Sequence, residues 1–553
     1  MAKKSPLILI LLALLLFSCA KQVAPGGGPK DTEPPTVIVT NPLNGTVNFT
    51  GNEIDITFSE YINKSSVRNS IFFSPEIERF KLNWSGKTLE IIVLDSLKKN
   101  TTYTVTLGTG ISDLNEKNKM AEAFSLVFST GNKIDKGEIR GTVFNRNPEG
   151  VMIFAYKQMA DTIPNPSTQK PDYTTQCGEN GFYSLTGLAA ARYFLFAVRD
   201  ENANKLYDEN EAVGITSKEL NLTTDSSKLA NVNFMLTRYD TTRPELEEIT
   251  MTDENHILLE FSKVIDSSKL YPKNFFIFDS TNGEKYPVKF AYKGKVKKNK
   301  ALISFSKLDT ASGKLFLFVG NVYDKFGNAN TPSSRKIYFN SDPDTLKPKL
   351  LKYGNLLGEK QIDFRNPVIR LIFDDGVDFN SKAVKFENKK GKGFGLTIAR
   401  INDAEFLLTV KQKLKSNEDY LMKIDFSKFS DAAGNYTDSV FVYPIKTTNE
   451  LDYVTVEGKI DGARNKLVIA NLLRLKDNLI LQTKTNKDGN FHFRSVSPGK
   501  YFIWAFIDKN KNGKYDYGKL IPFQYSEPFA FRSDTLNVRP RWPIKNVNLT
   551  FQN

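Results

Sequence analysis

Cysteine and histidine are almost missing from this chain. Its 553 residues hold two cysteines, Cys19 and Cys177, and two histidines, His256 and His492. So few cysteines exclude a disulfide-stapled framework. Neither histidine sits in a metal-ligand spacing: His256 ends the polar stretch Asp253-Glu254-Asn255-His256, which reads as a turn, and His492 falls on a hairpin strand. No Gly-x-Ser-x-Gly, His-Glu-x-x-His or phosphate-binding glycine loop occurs, so the usual hydrolase and nucleotide chemistries have no sequence support. A carboxylate pair for glycoside hydrolysis needs a large concave domain to hold it, and none is patterned here. No long amphipathic helix is patterned either. The chain reads as a non-enzyme.

Acidic residues are outnumbered, 62 Asp and Glu against 76 Lys and Arg, a formal charge of +14. The lysines are spread along the chain, as on solvated sheet faces and guarded sheet edges. A nucleic-acid partner would need a basic stripe interleaved with exposed aromatics, so no nucleic acid is expected. Hydrophobic residues at 40% and aromatics at 12% suffice for cores, and this length implies several domains.

The apolar run from Pro6 to Phe17 follows Lys3-Lys4 and ends at Leu16-Phe17-Ser18-Cys19. It is too short to span a bilayer comfortably and has the layout of a secretory signal. The pattern resembles the lipobox of bacterial lipoproteins, which implies cleavage after residue 18 and lipidation of Cys19. Acyl burial contributes about 0.8 kcal/mol per CH2, so several chains make a lasting anchor. Cys177 would then be the one thiol left. Residues 19–35, with Gly26-Gly27-Gly28, form a flexible tether similar to those of Bacteroidota envelope lipoproteins. Ala20, where an inner-membrane protein would carry Asp, implies the outer membrane; Ala20-Lys21-Gln22-Val23 lacks an acidic export cluster, so the leaflet stays open.

One unit occurs three times. It starts with Asp-Thr-x-x-Pro at Asp31, Asp240 and Asp344. It continues with an alternating strand (Ile54, Ile56, Phe58; Ile257, Leu259, Phe261; Ile369, Leu371, Phe373) and ends in an Asp-containing turn at Asp113, Asp324 and Asp431. Period-two alternation is a strand covering a core. Leu97-x-x-Asn100-x-x-Tyr103 and Leu414-x-x-Asn417-x-x-Tyr420 form a shared corner; the middle unit has Lys314 in place of tyrosine, so its corner must be built differently. These units, at 36–132, 242–340 and 346–448, resemble the Ig-like domains of bacterial S-layer and surface lipoproteins.

A second unit occurs twice. Glu179-Asn180-Gly181-Phe182 answers Lys487-Asp488-Gly489-Asn490, and Tyr193 to Val198 answers Tyr501 to Phe506. Asn-Gly and Asp-Gly between strands are hairpin signals, and the longer runs are strands buried on both faces. These segments, 136–238 and 452–553, resemble prealbumin-like, carboxypeptidase-regulatory-like sandwiches. The expected fold is all-β: a tandem array of antiparallel β-sandwiches, three Ig-like and two prealbumin-like, behind a lipoprotein signal peptide (1–18).

A structural calcium ion is the one cofactor with sequence support. Residues 200–211 place Asp200, Asn202, Asn204, the Leu206 carbonyl, Asp208 and Glu211 at the spacing of a calcium loop, although Lys205 stands where glycine makes the turn. The resemblance to calcium-binding B repeats of surface adhesins points the same way; a polar hairpin loop with Asx turns is the alternative. The partner loop, Asp508, Asn510, Asn512 and Asp516, is degenerate because Lys519 takes the twelfth place, where its ammonium would replace the ion between Asp508 and Asp516.

The expected role is a scaffold at the outer membrane, anchored through lipid and contacting other envelope proteins, as an accessory subunit of an assembly or secretion complex. The alternative is an adhesin or glycan-binding protein, which requires exposed aromatic platforms among Trp84, Trp504 and Trp542.

Overall fold

The computed structural model describes residues 30–158, 162–308, 314–356 and 358–551. The signal peptide, Cys19 and most of the tether lie outside them. The fold is all-β, and among the described residues the one α-helix is the single turn Lys64–Val67. No helix among them is long and apolar enough to cross a membrane. The chain divides into two compact units, Met1–Tyr207 with Gly214–Leu236, and Asp208–Val213 with Thr237–Asn553.

The first unit contains two hydrophobic cores. In one, a sheet ordered Val37–Asn41, Glu53–Phe58, Thr88–Val93, Phe80–Ser85 faces a sheet of Ile71–Ser74, Thr102–Leu107 and Phe124–Ser129. Strand Glu53–Phe58 buries every second residue, so Ile54, Ile56 and Phe58 point into the sandwich. In the other, Arg192–Val198 is the strand buried on both faces, paired with Met152–Lys157, and Phe182–Leu188 pairs with Gly137–Phe144 in the opposing sheet. Cys177 is a free, buried thiol in this core, and burial pushes its pKa up.

The second unit contains three cores, built from residues of 246–337, of 290–445 and of 454–551. The first two overlap because Phe290 and Tyr292, on a strand of the middle repeat, pack into the core of the next. The amide of Ala291 donates to Asp403 Oδ2 at 2.8 Å at the same junction. The last core lies between the sheet Asn490–Val496, Val454–Asp461, Ile544–Thr550 and a sheet centred on Val468–Arg474 and Gly499–Ile507.

The three repeats that open with Asp-Thr-x-x-Pro share details that explain their common motifs. Each first strand carries a register shift against its neighbour, at Val37/Val39, Leu246/Glu248 and Leu350/Lys352, the kink of a β-bulge. The closing-turn aspartates accept backbone N–H groups: Asp113 from residues 116–118, Asp324 from Phe326 and Asn328, Asp431 from Asn435. The turn asparagine then reaches back to the start of its repeat. The side-chain amides of Asn118, Asn328 and Asn435 donate to the carbonyls of Asp31, Asp240 and Asp344 at 3.1, 2.6 and 3.0 Å. Two motifs far apart in sequence are thus one structural lock.

The corner reading is matched in detail. The amides of Lys98 and Lys415 donate to the hydroxyl oxygens of Tyr103 and Tyr420 at 2.8 and 2.9 Å, and Asn100 and Asn417 take the left-handed conformation at φ 52° and 54°. Replacing Tyr420 by phenylalanine leaves the Lys415 amide without its acceptor. We expect a loss of about 1–2 kcal/mol in denaturant unfolding with the fold intact by circular dichroism. In the middle repeat, Lys314 opens the strand Leu315–Val319 from outside it, and the residues just before it are not among those described.

Candidate metal centres

Sequence places the oxygen-rich loops directly after the doubly buried strands, and the structure does the same. In the first unit the Asp200 carboxylate accepts the amides of Asn204 (3.2 Å) and Lys205 (2.9 Å), Asn202 Oδ1 accepts from Asn204 and Asn204 Oδ1 from Leu206. Lys205 takes φ 60°, so a lysine makes the turn usually left to glycine. Asp208 and Glu211 fall in the second unit, where buried Glu211 accepts the Asp208 amide at 3.1 Å.

The second loop departs from its sequence reading. Asp508 accepts from Asn512 and Gly513 at 3.1 and 3.0 Å, and the side-chain amide of Asn510 donates to Asp516 Oδ2 at 2.5 Å. Lys519 forms no ion pair with Asp508 or Asp516 among the described residues; it exchanges backbone hydrogen bonds with Gln524, closing an inserted turn. The carboxylate facing this loop is Glu527, which accepts the Lys509 amide at 2.7 Å and the Asp516 amide at 3.2 Å. Glu527 therefore does for this loop what Glu211 does in the other. The ammonium stand-in proposed for Lys519 is thus corrected. Aligning the strands that follow, Glu211-Ala212 against Glu527-Pro528, would have found it where counting twelve residues did not. Burial, with the charges of Asp516 and Asp508 adding to it, raises the pKa of Glu527 despite those two hydrogen bonds.

These donors are hard oxygens of the kind calcium takes, and the oxygens of Asp508 and Glu527 each keep a lone pair beyond the backbone bond they accept, whereas Asp516 Oδ2 accepts the side-chain amides of Asn510 and Asn512 and would exchange them for the ion. The loops are also closed by their own Asx hydrogen bonds. Among the described residues, the group of three acidic or histidine side chains whose ligand atoms all lie within 4.8 Å of one another is elsewhere: His256, Asp344 and Asp375. His256 is not in a turn, as its sequence suggests, but is the buried first residue of strand His256–Phe261. His492 lies on strand Asn490–Val496 as expected, lining an open polar groove of about 740 Å³ with Glu457, Lys459 and Arg494.

The tryptophans divide. Trp504 is buried against Phe506 and Tyr515, with ring centroids 5.6 Å from each; it is core packing, not a sugar platform. Trp84 is half-buried over Phe58. Trp542 is 74% exposed.

Residues 31–130 match the family described as Bacterial Ig-like domain. No curated protein matches the chain. Solved structures that align with it include the N-terminal part of the bacterial S-layer protein SbsC (13% identity, 38% of this chain and 45% of that one, TM-score 0.17). Another is BcpA, the major pilin subunit of Bacillus cereus (10% identity, 76% and 100%, TM-score 0.14). A third is E. coli alpha-2-macroglobulin (7% identity, 86% and 33%, TM-score 0.14). The chain spans less than half of the SbsC fragment.

Proposed function

We propose that this chain is a non-enzymatic cell-envelope lipoprotein of a Bacteroidota-type outer membrane, acylated at Cys19, whose sandwiches form a scaffold for other envelope proteins. The observation that carries this reading is how the apolar residues are spent: five separate cores, each made mostly from one stretch of chain. An array of small sandwiches sets spacing and presents surface; its binding energy lies in outer faces and loops. Calcium in the loop at 508–527 would stiffen the second prealbumin-like sandwich.

The test is fatty-acid labelling and membrane fractionation of the full chain beside Cys19→Ala, followed by crosslinking in intact cells. Labelled, membrane-bound wild type, an unlabelled Cys19→Ala and a reproducible envelope-protein partner are expected. A mature chain that is unacylated and free in the medium, or that turns over a sugar or peptide, would overturn the proposal. The exposure of Trp542 favours a second reading, a glycan-binding or adhesive surface. Loss of glycan binding in Trp542→Ala would support it.

A further inference from the structure

The three Ig-like repeats put the same three positions at one spot: the aspartate of the opening motif, the residue two after the strand's phenylalanine, and the aspartate of the closing turn. In the middle repeat these are Asp240, Lys263 and Asp324. The Lys263 ammonium is held by the carboxylates of Asp240 and Asp324 (2.9 Å to the latter) and by the Thr242 carbonyl and hydroxyl, each at 3.1 Å. The fold has a cation-sized place here, ringed by oxygens, and fills it from within.

In the third repeat the lysine position is Asp375. Asp344 and Asp431 keep the places of Asp240 and Asp324, with the same asparagine lock, but the ammonium is replaced by another carboxylate. The result is visible in the hydrogen bonding. Asp344 Oδ2 and Asp431 Oδ2 are buried and have no hydrogen-bond partner. The Asp344 side chain is 4% exposed and Asp431 is 0% exposed. Their other oxygens accept the amides of Leu346 and Asn435.

His256, from the preceding repeat, completes the cluster. Its Nδ1 lies 2.8 Å from Asp253 Oδ1 and its Nε2 3.2 Å from Asp375 Oδ1, while Asp344 Oδ2 stands 3.9 Å from Nδ1. Tyr292 and the Gly376 amide also donate to Asp375 Oδ1, each at 2.6 Å. One imidazolium faces four carboxylates, Asp253, Asp344, Asp375 and Asp431, and Lys289 Nζ reaches only the Asp431 carbonyl, at 3.3 Å. Buried charge without a counter-charge is costly. Burial and the neighbouring carboxylates push Asp344 and Asp431 above the usual carboxylate range.

We infer that the third Ig-like repeat binds a divalent metal ion of the zinc–manganese class through His256, Asp375 and Asp344, with Asp431 facing the same site, at the junction with the repeat before it. An imidazole among carboxylates is the donor set for such ions; calcium would take oxygens alone. Two ligand atoms about 2.1 Å from one ion stand roughly 3.0–3.4 Å apart, which is the spacing of His256 Nε2 and Asp375 Oδ1; the Asp344 carboxylate, whose ligand atom lies within 4.8 Å of the other two and nearer Nδ1 than Nε2, closes on the ion by a side-chain shift. Asp253 behind Nδ1 is the carboxylate that orients a metal-bound imidazole. The first repeat, with Glu60 at the lysine position between Asp31 and Asp113, follows the third and not the second.

The experiment uses the full chain stripped with EDTA, then loaded with Zn2+ and dialysed, with metal content and thermal unfolding as readouts. One zinc retained per chain and an unfolding midpoint raised by several degrees are expected. Asp375→Lys rebuilds the Lys263 arrangement, so it should retain no zinc and unfold at one temperature with or without it. His256→Gln should bind zinc on the order of tenfold more weakly or worse. A wild-type midpoint indifferent to zinc would overturn the inference, leaving the His256 imidazolium as the whole counter-charge. Wild-type zinc retention by Asp375→Lys would overturn it too. Should that variant fail to fold, undiminished zinc affinity in His256→Gln would do the same.

Discussion

Phe373→Ala should cost about 3–5 kcal/mol, the range for emptying a buried aromatic site, and should unfold the third of the Asp-Thr-x-x-Pro repeats first. Phe373 is 0% exposed at the end of strand Val368–Phe373. Its ring meets those of Phe379, Phe406, Phe426 and Phe429, at centroid distances of 6.5, 6.1, 6.2 and 5.7 Å. Four rings from three separate stretches, Phe426 and Phe429 sharing one turn, cannot all close on the cavity left by one, so little of the lost contact is recovered. Phe373→Leu keeps most of the volume and should cost less than about 1.5 kcal/mol, and Tyr338→Ser, at a 78% exposed position, should stay within about 0.5 kcal/mol. The measurement is urea unfolding of the full chain followed by circular dichroism and tyrosine fluorescence, since Tyr353, Tyr420 and Tyr443 belong to this core. Several cores make a multi-step transition, so the step that moves, not one midpoint, is the readout. A shift below about 1 kcal/mol for Phe373→Ala would mean the ring cluster is not packed as described.

What was legible in the sequence was whatever a short window can carry. Ile369, Leu371 and Phe373 alternate because a strand turns successive side chains to opposite faces, and the core lies where that alternation points. Tyr420 and its corner could be read because donor and acceptor are five residues apart. The second oxygen loop was half legible: Asp508 to Asp516 is local, but Glu527 is separated from it by an inserted turn, and spacing alone assigned its role to Lys519. The His256 cluster was invisible for a deeper reason. Its members come from positions 253, 256, 344, 375 and 431, and only the stacking of one repeat on the next brings them together. His256 was also misjudged locally. Asp253-Glu254-Asn255 is polar enough to be a turn and is one, but the histidine after it starts a strand, and its ring is buried between Asp253 and Asp375.

Lys263→Met tests the lock from the opposite side and should be the most damaging single change of charge, at about 2–4 kcal/mol, somewhat under the range for breaking a fully buried pair because Lys263 keeps 21% of its side chain exposed. Methionine keeps the length of the stem and removes the ammonium, so Asp240 and Asp324 face each other with nothing between them. Asp324 is 0% exposed. Burial by itself would raise its pKa, but the hydrogen bonds from Asn328, Lys263 and the backbone outweigh that and hold it at about 2. A carboxylate whose folded pKa lies below its unfolded value stabilises the fold above the unfolded value, near 3.8, and loses that contribution as pH falls through about 2. Wild type should therefore lose stability between about pH 4 and pH 2 at this repeat, by on the order of 1–2 kcal/mol from this group. In Lys263→Met the pair is already strained at neutral pH, because one of the two carboxylates must give up its charge or its burial. Protonation then relieves repulsion instead of removing an attraction, so the acid slope should flatten or reverse, and the gap between variant and wild type should be widest near pH 7 and narrowest near pH 3. Adding Asp324→Asn to Lys263→Met removes one of the two charges and should recover part of the loss, a coupling that independent sites would not give. Equal losses at pH 7 and pH 3, with no recovery in the double variant, would mean the lysine acts through packing of its stem and not through its charge.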